Sequence, residues 1–128
     1  MRSLWFSLAI ALATPAAAAP DWRDSREYDV LLSSFDIQPS RIELKAGQPV
    51  RLRFINNSTS RHSFSARDFF RSGEVRPRDR KLVSSGTIVV QPGDEREVII
   101  VPRAGRYNAR SASLYHRVLG MTARIIVK

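Results

Sequence analysis

Short segments in which apolar and polar residues alternate dominate this chain, and most of them end at Gly, Pro or Asn. In residues 50–56, for example, Val50, Leu52 and Phe54 are separated by polar positions and fall on one side of the segment. A period of two places successive side chains on opposite faces, so each segment predicts a β-strand with one buried face. The chain is therefore predicted to be all-β, with sheets that pack face to face.

The segments are numerous enough for a β-sandwich of seven to eight strands. They cover residues 28–32, 34–37, 41–44, 50–56, 86–90, 95–101, 106–110 and 121–127. One short helix interrupts them, because Ser65 and Asp68 have the spacing of a helix start and Gly73 follows two phenylalanines. Residues 74–81 are rich in charge and are predicted to form a loop.

The N-terminal residues have the pattern of a secretory signal peptide. A basic residue near the start precedes an apolar stretch over 4–13, and small residues fill 14–19. We expect cleavage after Ala18, a flexible lead-in over 19–27 and one domain over 28–128. The apolar stretch is too short to span a membrane, and no longer one follows. This pattern predicts a periplasmic or secreted protein with no transmembrane segment.

Composition removes several classes of function. Cysteine is absent, which excludes disulfides, thiol nucleophiles, zinc fingers and iron–sulfur clusters. The sequence contains no Ser–His–acid, paired-carboxylate or phosphate-loop motif, so an enzyme is not predicted. Lys and Arg total 21 against 12 acidic residues, a formal net charge of +9. The cations are scattered and form no basic helix or aromatic–basic motif, so nucleic acid is not a predicted partner.

One cluster of charge raises the question of a protein partner. Arg76, Arg78, Arg80 and Lys81 lie within a few residues of each other. Such a run is either a solvated loop or a docking site for an acidic periplasmic protein. A related question concerns three arginines that flank the two histidines and Ser111, namely Arg61, Arg110 and Arg117. Their side chains point either toward the histidines, where they would favour an anionic partner, or outward into solvent.

Few residues of this chain could ligate a soft metal ion. The two histidines are His62 and His116, and Met121 is the one methionine that remains after signal cleavage. Two imidazoles and a thioether suit a soft or borderline ion, with Cu(I) the best match and Cu(II) second. The same residues would also be ordinary in a protein without metal, as hydrogen-bonded histidines and a core methionine.

The order of motifs along the chain resembles that of a cupredoxin, the family of proteins similar to plastocyanin and azurin. The segments that carry the resemblance are 35–39, 42–50, 56–64, 90–93, 102–107, 116–121 and 125–127. The resemblance implies a Greek-key β-sandwich and makes His62, His116 and Met121 three of the four copper ligands. The cysteine ligand of the family would fall at Ser111, and a hydroxyl is a hard donor that rarely replaces a thiolate.

Three functions are compatible with this resemblance. The first is an exported copper-binding protein that buffers or delivers copper through His62, His116 and Met121 without a thiolate. The second is a cupredoxin-fold adapter or docking module that has lost its metal. The third is an electron carrier, which would need another ligand in place of Ser111.

Overall fold

The computed structural model describes residues 10–12, 18–111 and 121–128. These residues contain ten strands, one short α-helix and one 3-10 helix. The strands are β1 Arg26–Leu32, β2 Ile37–Gln38, β3 Arg41–Leu44, β4 Val50–Asn56, β5 His62–Ser65, β6 Glu74–Val75, β7 Thr87–Val90, β8 Glu95–Val101, β9 Gly105–Arg110 and β10 Thr122–Val127. Helix α1 covers Arg67–Ser72, and the 3-10 helix covers Pro77–Val83. Neither helix is long and apolar enough to cross a membrane.

The strands form two five-stranded sheets of mixed direction. The first sheet has the order β2-β1-β4-β8-β6, and the second has the order β3-β10-β9-β5-β7. β1 pairs in parallel with β4, and β3 pairs in parallel with β10, whereas the other pairs are antiparallel. The all-β sandwich predicted from the alternation is confirmed.

The core fills the space between the two sheets. Alternation is complete in β4, where Val50, Leu52, Phe54 and Asn56 are buried and the residues between them are half-buried. Helix α1 adds Phe69 and Phe70 to the same hydrophobic cluster. Removing apolar surface from water stabilises the folded state by about 25 cal/mol per Å², so this cluster is the main source of stability.

Several local predictions were wrong. The strand count is ten rather than seven to eight, because short pairings such as β2 and β6 have no alternation long enough to detect. His62–Ser65 is a strand that the sequence did not predict. Ala66 occupies the N-cap of α1 without a side-chain hydrogen bond, since Ser65 is held in β5. The predicted charged loop contains β6 and the 3-10 helix.

One end of the sandwich gathers residues that are far apart in the sequence. β4 ends there at Asn56, β5 begins at His62, and β7 ends at Val90, opposite His62. In the same sheet, β9 ends at Arg110, opposite the first residue of β10, Thr122. We call this the Asn56 end of the sandwich.

Candidate metal centre

His62 faces the interior at the Asn56 end. It is the first residue of β5, and its register partner on β7 is Val90. Burial alternates along β5, so His62 and Phe64 point into the core while Ser63 and Ser65 are half-buried. The exposed fraction of His62 is 1%, and both ring nitrogens are shielded from solvent.

Ser111 and Met121 lie beside each other on the neighbouring strands. The backbone N–H of Ser111 donates to the carbonyl oxygen of Met121 at 3.0 Å, which continues the β9–β10 ladder by one pair. Both residues are fully buried. β9 lies between β10 and β5 in the sheet, and Ser65 of β5 pairs with Arg110, so Ser111 lies between Met121 and β5, with His62 further toward the same end. Three candidate residues therefore share one end and the inner face.

The side chain of Asn56 fixes the loop that leads to His62. Its amide nitrogen donates to the carbonyl oxygens of Ser60, at 2.8 Å, and Val90, at 2.9 Å. Its carbonyl oxygen accepts hydrogen bonds from the backbone N–H and the hydroxyl of Ser58. These bonds join the loop to β7. A buried amide with this many partners holds its surroundings in one arrangement.

Small and apolar side chains lie next to the site. Ala109 and Ala123 lie opposite each other on β9 and β10, two residues along the strands from Ser111 and Met121, and both are buried. The ring of Phe64 packs against Phe54 with centroids 4.7 Å apart. This lining excludes water, so an ion bound here would depend on its protein ligands rather than on hydration.

Charge is kept away from the interior of the site. Arg61 and Arg110 are both exposed, and Arg110 lies on the outward side of β9. The buried polar or charged residues within the described chain are Asn56, His62, Asp79 and Ser111. The question left open by the sequence is thereby answered for Arg61 and Arg110, which point outward. Arg117 lies outside the described residues.

The donor set decides which metal chemistry fits. Residues 10–12, 18–111 and 121–128 contain no group of three or more His, Cys, Asp or Glu side chains placed to hold a metal ion. The candidate site combines the imidazole of His62 with the thioether of Met121. The remaining predicted ligand, His116, lies outside the described residues, in the segment that joins Ser111 to Met121. Without a thiolate the set does not fit a blue copper centre, but it fits Cu(I).

The structure also assigns a role to a residue that sequence reasoning missed. Asp79 is buried, and its carboxylate accepts hydrogen bonds from Nε and Nη2 of Arg76 at 2.8 and 3.0 Å. It also accepts a hydrogen bond from the backbone N–H of Ile99 on β8, at 3.0 Å. Arg76 is therefore an internal structural residue and not part of a docking loop, whereas Arg78 and Arg80 are exposed.

Comparisons with known proteins agree with this architecture. A family model described as a cupredoxin-like domain matches residues 3–121. No curated protein sequence matches the chain. Among solved structures, auracyanin B is 14% identical with a TM-score of 0.58, covering 88% of this chain and 93% of that chain. Reduced auracyanin from the photosynthetic bacterium Roseiflexus castenholzii is 14% identical with a TM-score of 0.59, covering 81% and 98%.

Domains of larger enzymes share the fold as well. A multicopper oxidase from Campylobacter jejuni is 16% identical with a TM-score of 0.63, and the match covers 91% of this chain but 32% of the oxidase. At such identities, likeness between structures shows the fold alone. The family model, in contrast, covers most of the sequence and agrees with the resemblance seen in its motifs. The chain belongs to the cupredoxin-like domain family.

Proposed function

We propose that this protein binds Cu(I) at the Asn56 end through His62, His116 and Met121, and buffers or delivers it outside the cytoplasm. The observation that carries the proposal is the placement of His62 and Met121, both buried, on the inner face at one end of the same sheet. His116 belongs to the segment that starts and ends at the hydrogen-bonded pair Ser111 and Met121. The chain between these two fixed ends would supply the second imidazole.

The oxidation state follows from the chemistry of the donors. Neutral imidazole and thioether are ligands that Cu(I) accepts, and they carry no charge to offset that of the ion. A single positive charge costs less to bury than two, so the monovalent ion is favoured in a site lined by buried side chains. Arg61 and Arg110 are exposed, which lets water screen their repulsion of the cation.

Copper storage or delivery fits this site better than electron transfer. A blue copper centre depends on a Cu–thiolate bond, and the sequence contains no cysteine. An enzyme is not proposed either, because the chain spans about a third of the multicopper oxidase that it resembles and has no catalytic motif of its own. The partner that receives the copper would be an acidic periplasmic protein, since the chain itself is strongly basic.

Copper titration tests the proposal. The purified protein is titrated with Cu(I) under anaerobic conditions against a coloured Cu(I) chelator, and separately with Cu(II). We expect one Cu(I) per chain in the unaltered protein and loss of that binding in the His62→Ala/His116→Ala variant. Met121→Leu should keep the fold and weaken the binding. Val90→Ala leaves a cavity opposite His62. This variant is the control for general loosening of this end, and it should still bind copper. Absence of stoichiometric uptake would refute the proposal.

A metal-free adapter is the second candidate. The observation in its favour is that Met121 belongs to the hydrophobic core and that His62 is as buried as its apolar neighbours. In that case His62→Ala and Met121→Leu would lower the free energy of unfolding, and copper would not raise it in any variant. Thermal unfolding with and without Cu(I) therefore separates the two functions, because a ligand that binds the folded state raises the melting temperature.

Export is part of the proposal and has its own test. The N-terminal charge, apolar stretch and small-residue run support cleavage after Ala18. Expression of the whole sequence in a bacterium, followed by mass spectrometry of the periplasmic fraction, should give a chain that begins at Ala19. Recovery of the uncleaved chain in the cytoplasm would contradict export and would leave copper binding to be judged by the titration.

A further inference from the structure

Four exposed arginines share the outward side of three adjacent strands. Arg41 lies on β3, Arg124 on β10, and Arg106 and Arg110 on β9, and these strands are neighbours in the second sheet. Each is exposed while the residues beside it in sequence that point inward are buried or half-buried. We call the outward side of these strands the arginine face; its members are Arg41, Arg106, Arg110 and Arg124.

The strand register groups the four side chains closely. Arg124 lies directly opposite Arg41 on one side and opposite Asn108 on the other. Arg106 and Arg110 are each two residues from Asn108, so both are diagonal neighbours of Arg124. Directly opposed side chains lie about 5 Å apart and diagonal ones about 7–8 Å, measured between Cβ atoms. These separations are within the screening length of about 8 Å at physiological salt, so the charges repel one another.

The chain itself neutralises little of this charge. Nε of Arg41 binds Glu43 at 2.9 Å. Within the described residues, Arg106, Arg110 and Arg124 form no ion pair. Lys128 follows β10 on the same side, and its charge, after the hydrogen bond and charge of Arg41, helps to lower the pKa of Glu43. The face therefore carries several cations and a single carboxylate.

The outward side of the other sheet has the opposite character. Carboxylates outnumber guanidinium groups there: Glu27, Asp29 and Glu95 pair with Arg53, Glu97 pairs with Arg51, and Glu74 of β6 lies on the same side. Because both faces are solvated sheet surfaces of one small domain, a basic sequence alone does not explain the difference. The positive charge is concentrated on one face.

We propose that the arginine face is a docking surface for an acidic protein, whose Asp and Glu side chains pair with the guanidinium groups. Like charges opposed across strands destabilise a sheet, so an array in which Arg41 alone has a carboxylate of the same chain is explained by carboxylates supplied from outside. Guanidinium also matches a carboxylate with two parallel hydrogen bonds, a geometry that ammonium lacks. The inference does not depend on copper, since the face lies on the outer side of the sheet from His62 and Met121.

Two other occupants are less well supported by the same observations. A membrane surface is held best by cations together with exposed apolar side chains, and the neighbours on this face, Asn108 and Thr122, are polar. A second copy would have to offer its own carboxylates, and four of those on its other sheet are already paired with Arg51 and Arg53. Two copies would also repel each other through their net charge of +9.

The test uses a short poly-glutamate peptide as the probe of the docking surface. The triple variant Arg106→Gln/Arg110→Gln/Arg124→Gln is compared with Arg67→Gln/Arg71→Gln/Arg80→Gln, which removes the same charge from exposed positions elsewhere. Three ion pairs at the low end of their usual strength predict roughly a tenfold loss of affinity in the first variant and less than about threefold in the second. Amide NMR shifts caused by the peptide should lie on β9 and β10.

The same experiment has outcomes that overturn the inference. Equal losses in the two triple variants would mean that net charge alone attracts the peptide. Shifts centred on α1 and the 3-10 helix would place the surface elsewhere, and this readout needs no variant to fold. Tight binding to vesicles containing phosphatidylglycerol with none to the peptide would replace the protein partner by a membrane. Sedimentation could also show a dimer that is absent in the Arg106→Gln/Arg110→Gln/Arg124→Gln variant. That result would mean that the arginine face binds a second copy of this chain and not an acidic protein.

Discussion

The backbone N–H of Ser111 donates to the carbonyl oxygen of Met121 at 3.0 Å, so both ends of the segment that contains His116 are fixed side by side at the buried end of β9 and β10. The resemblance of the motifs to those of a cupredoxin predicts that Ser111 stands at the position of the family's cysteine. The position is fully buried and faces the interior with Met121. For the proposed ligands His62, His116 and Met121, a thiol in place of the Ser111 hydroxyl would complete the set of type 1 ligands.

Ser111→Cys should convert the site into a blue copper centre. A thiolate beside two imidazoles and a thioether binds Cu(II) with an intense charge-transfer absorption in the visible range. The measurement is the absorption spectrum after addition of one equivalent of Cu(II). Ser65→Cys, which places a thiol on the half-buried outward side of β5, is the control and should stay colourless. A colourless Ser111→Cys protein that nevertheless binds copper would show that the loop differs from that of the family.

Asn56→Ala should destabilise the protein by about 2–4 kcal/mol, because buried hydrogen-bond partners lose their amide. The affected groups include the carbonyl oxygen of Val90, which Asn56 binds at 2.9 Å. Urea unfolding measures the change. The exposed neighbour Asn57 provides a matched control, and Asn57→Ala should change the free energy of unfolding by less than about 0.5 kcal/mol. Equal effects would mean that the Asn56 hydrogen bonds contribute nothing.

Asp79→Ala should cost about 3–5 kcal/mol, since removal of one partner leaves a half-buried guanidinium and a strand N–H without their carboxylate. The two groups are Arg76, at 2.8 Å, and Ile99, at 3.0 Å. The double variant Arg76→Ala/Asp79→Ala should lose less than the sum of the two single variants, because no unpaired charge remains. Denaturant unfolding of all three proteins gives the coupling. If the losses of the two single variants added up to that of the double variant, Arg76 and Asp79 would not be energetically coupled. Arg78→Ala, at an exposed position, is the control and should change the free energy of unfolding little.

The carboxyl group of Glu43 should titrate below its ordinary range. The hydrogen bond from Arg41 lowers the pKa of Glu43 most, followed by the charge of Arg41 and that of Lys128. Because the pKa is lower in the folded state, this stabilisation is complete above the unfolded pKa and is lost as the pH falls through the folded one. NMR titration should show the pKa of Glu43 rise in Arg41→Gln and rise less in Lys128→Gln. An unchanged pKa in Arg41→Gln would contradict this account.

Gly86→Ala should destabilise the protein more than Gly47→Ala. Both glycines have positive φ, at 80° and 78°, so each alanine carries the cost of a left-handed backbone, about 1–2 kcal/mol. A Cβ atom at Gly86 would also lie 2.7 Å from Cβ and 2.8 Å from Cα of Arg67, whereas one at Gly47 meets nothing within 4 Å. The close approach adds about 1–3 kcal/mol. Thermal unfolding of the two variants isolates that difference, and equal losses would exclude a steric contribution.

Much of the core and part of the site could be predicted from local pattern. The period of two identified β4 and its buried residues, because alternation requires no knowledge of the partner strand. The order of motifs pointed to a cupredoxin, which the family model shows. These features are determined within short stretches of sequence.

Long-range pairing decided the rest. The sequence left Arg76 in either a solvated loop or a docking site, and the fold buries Asp79 beside it against β8. The cations looked scattered along the chain, yet the register sets Arg41 directly opposite Arg124 and gathers them on one face. A strand specifies which of its faces is apolar, but the neighbour on each side is fixed by packing and hydrogen bonds across the whole sheet. Only the tertiary structure therefore brought His62 and Met121 to the same end of the sandwich.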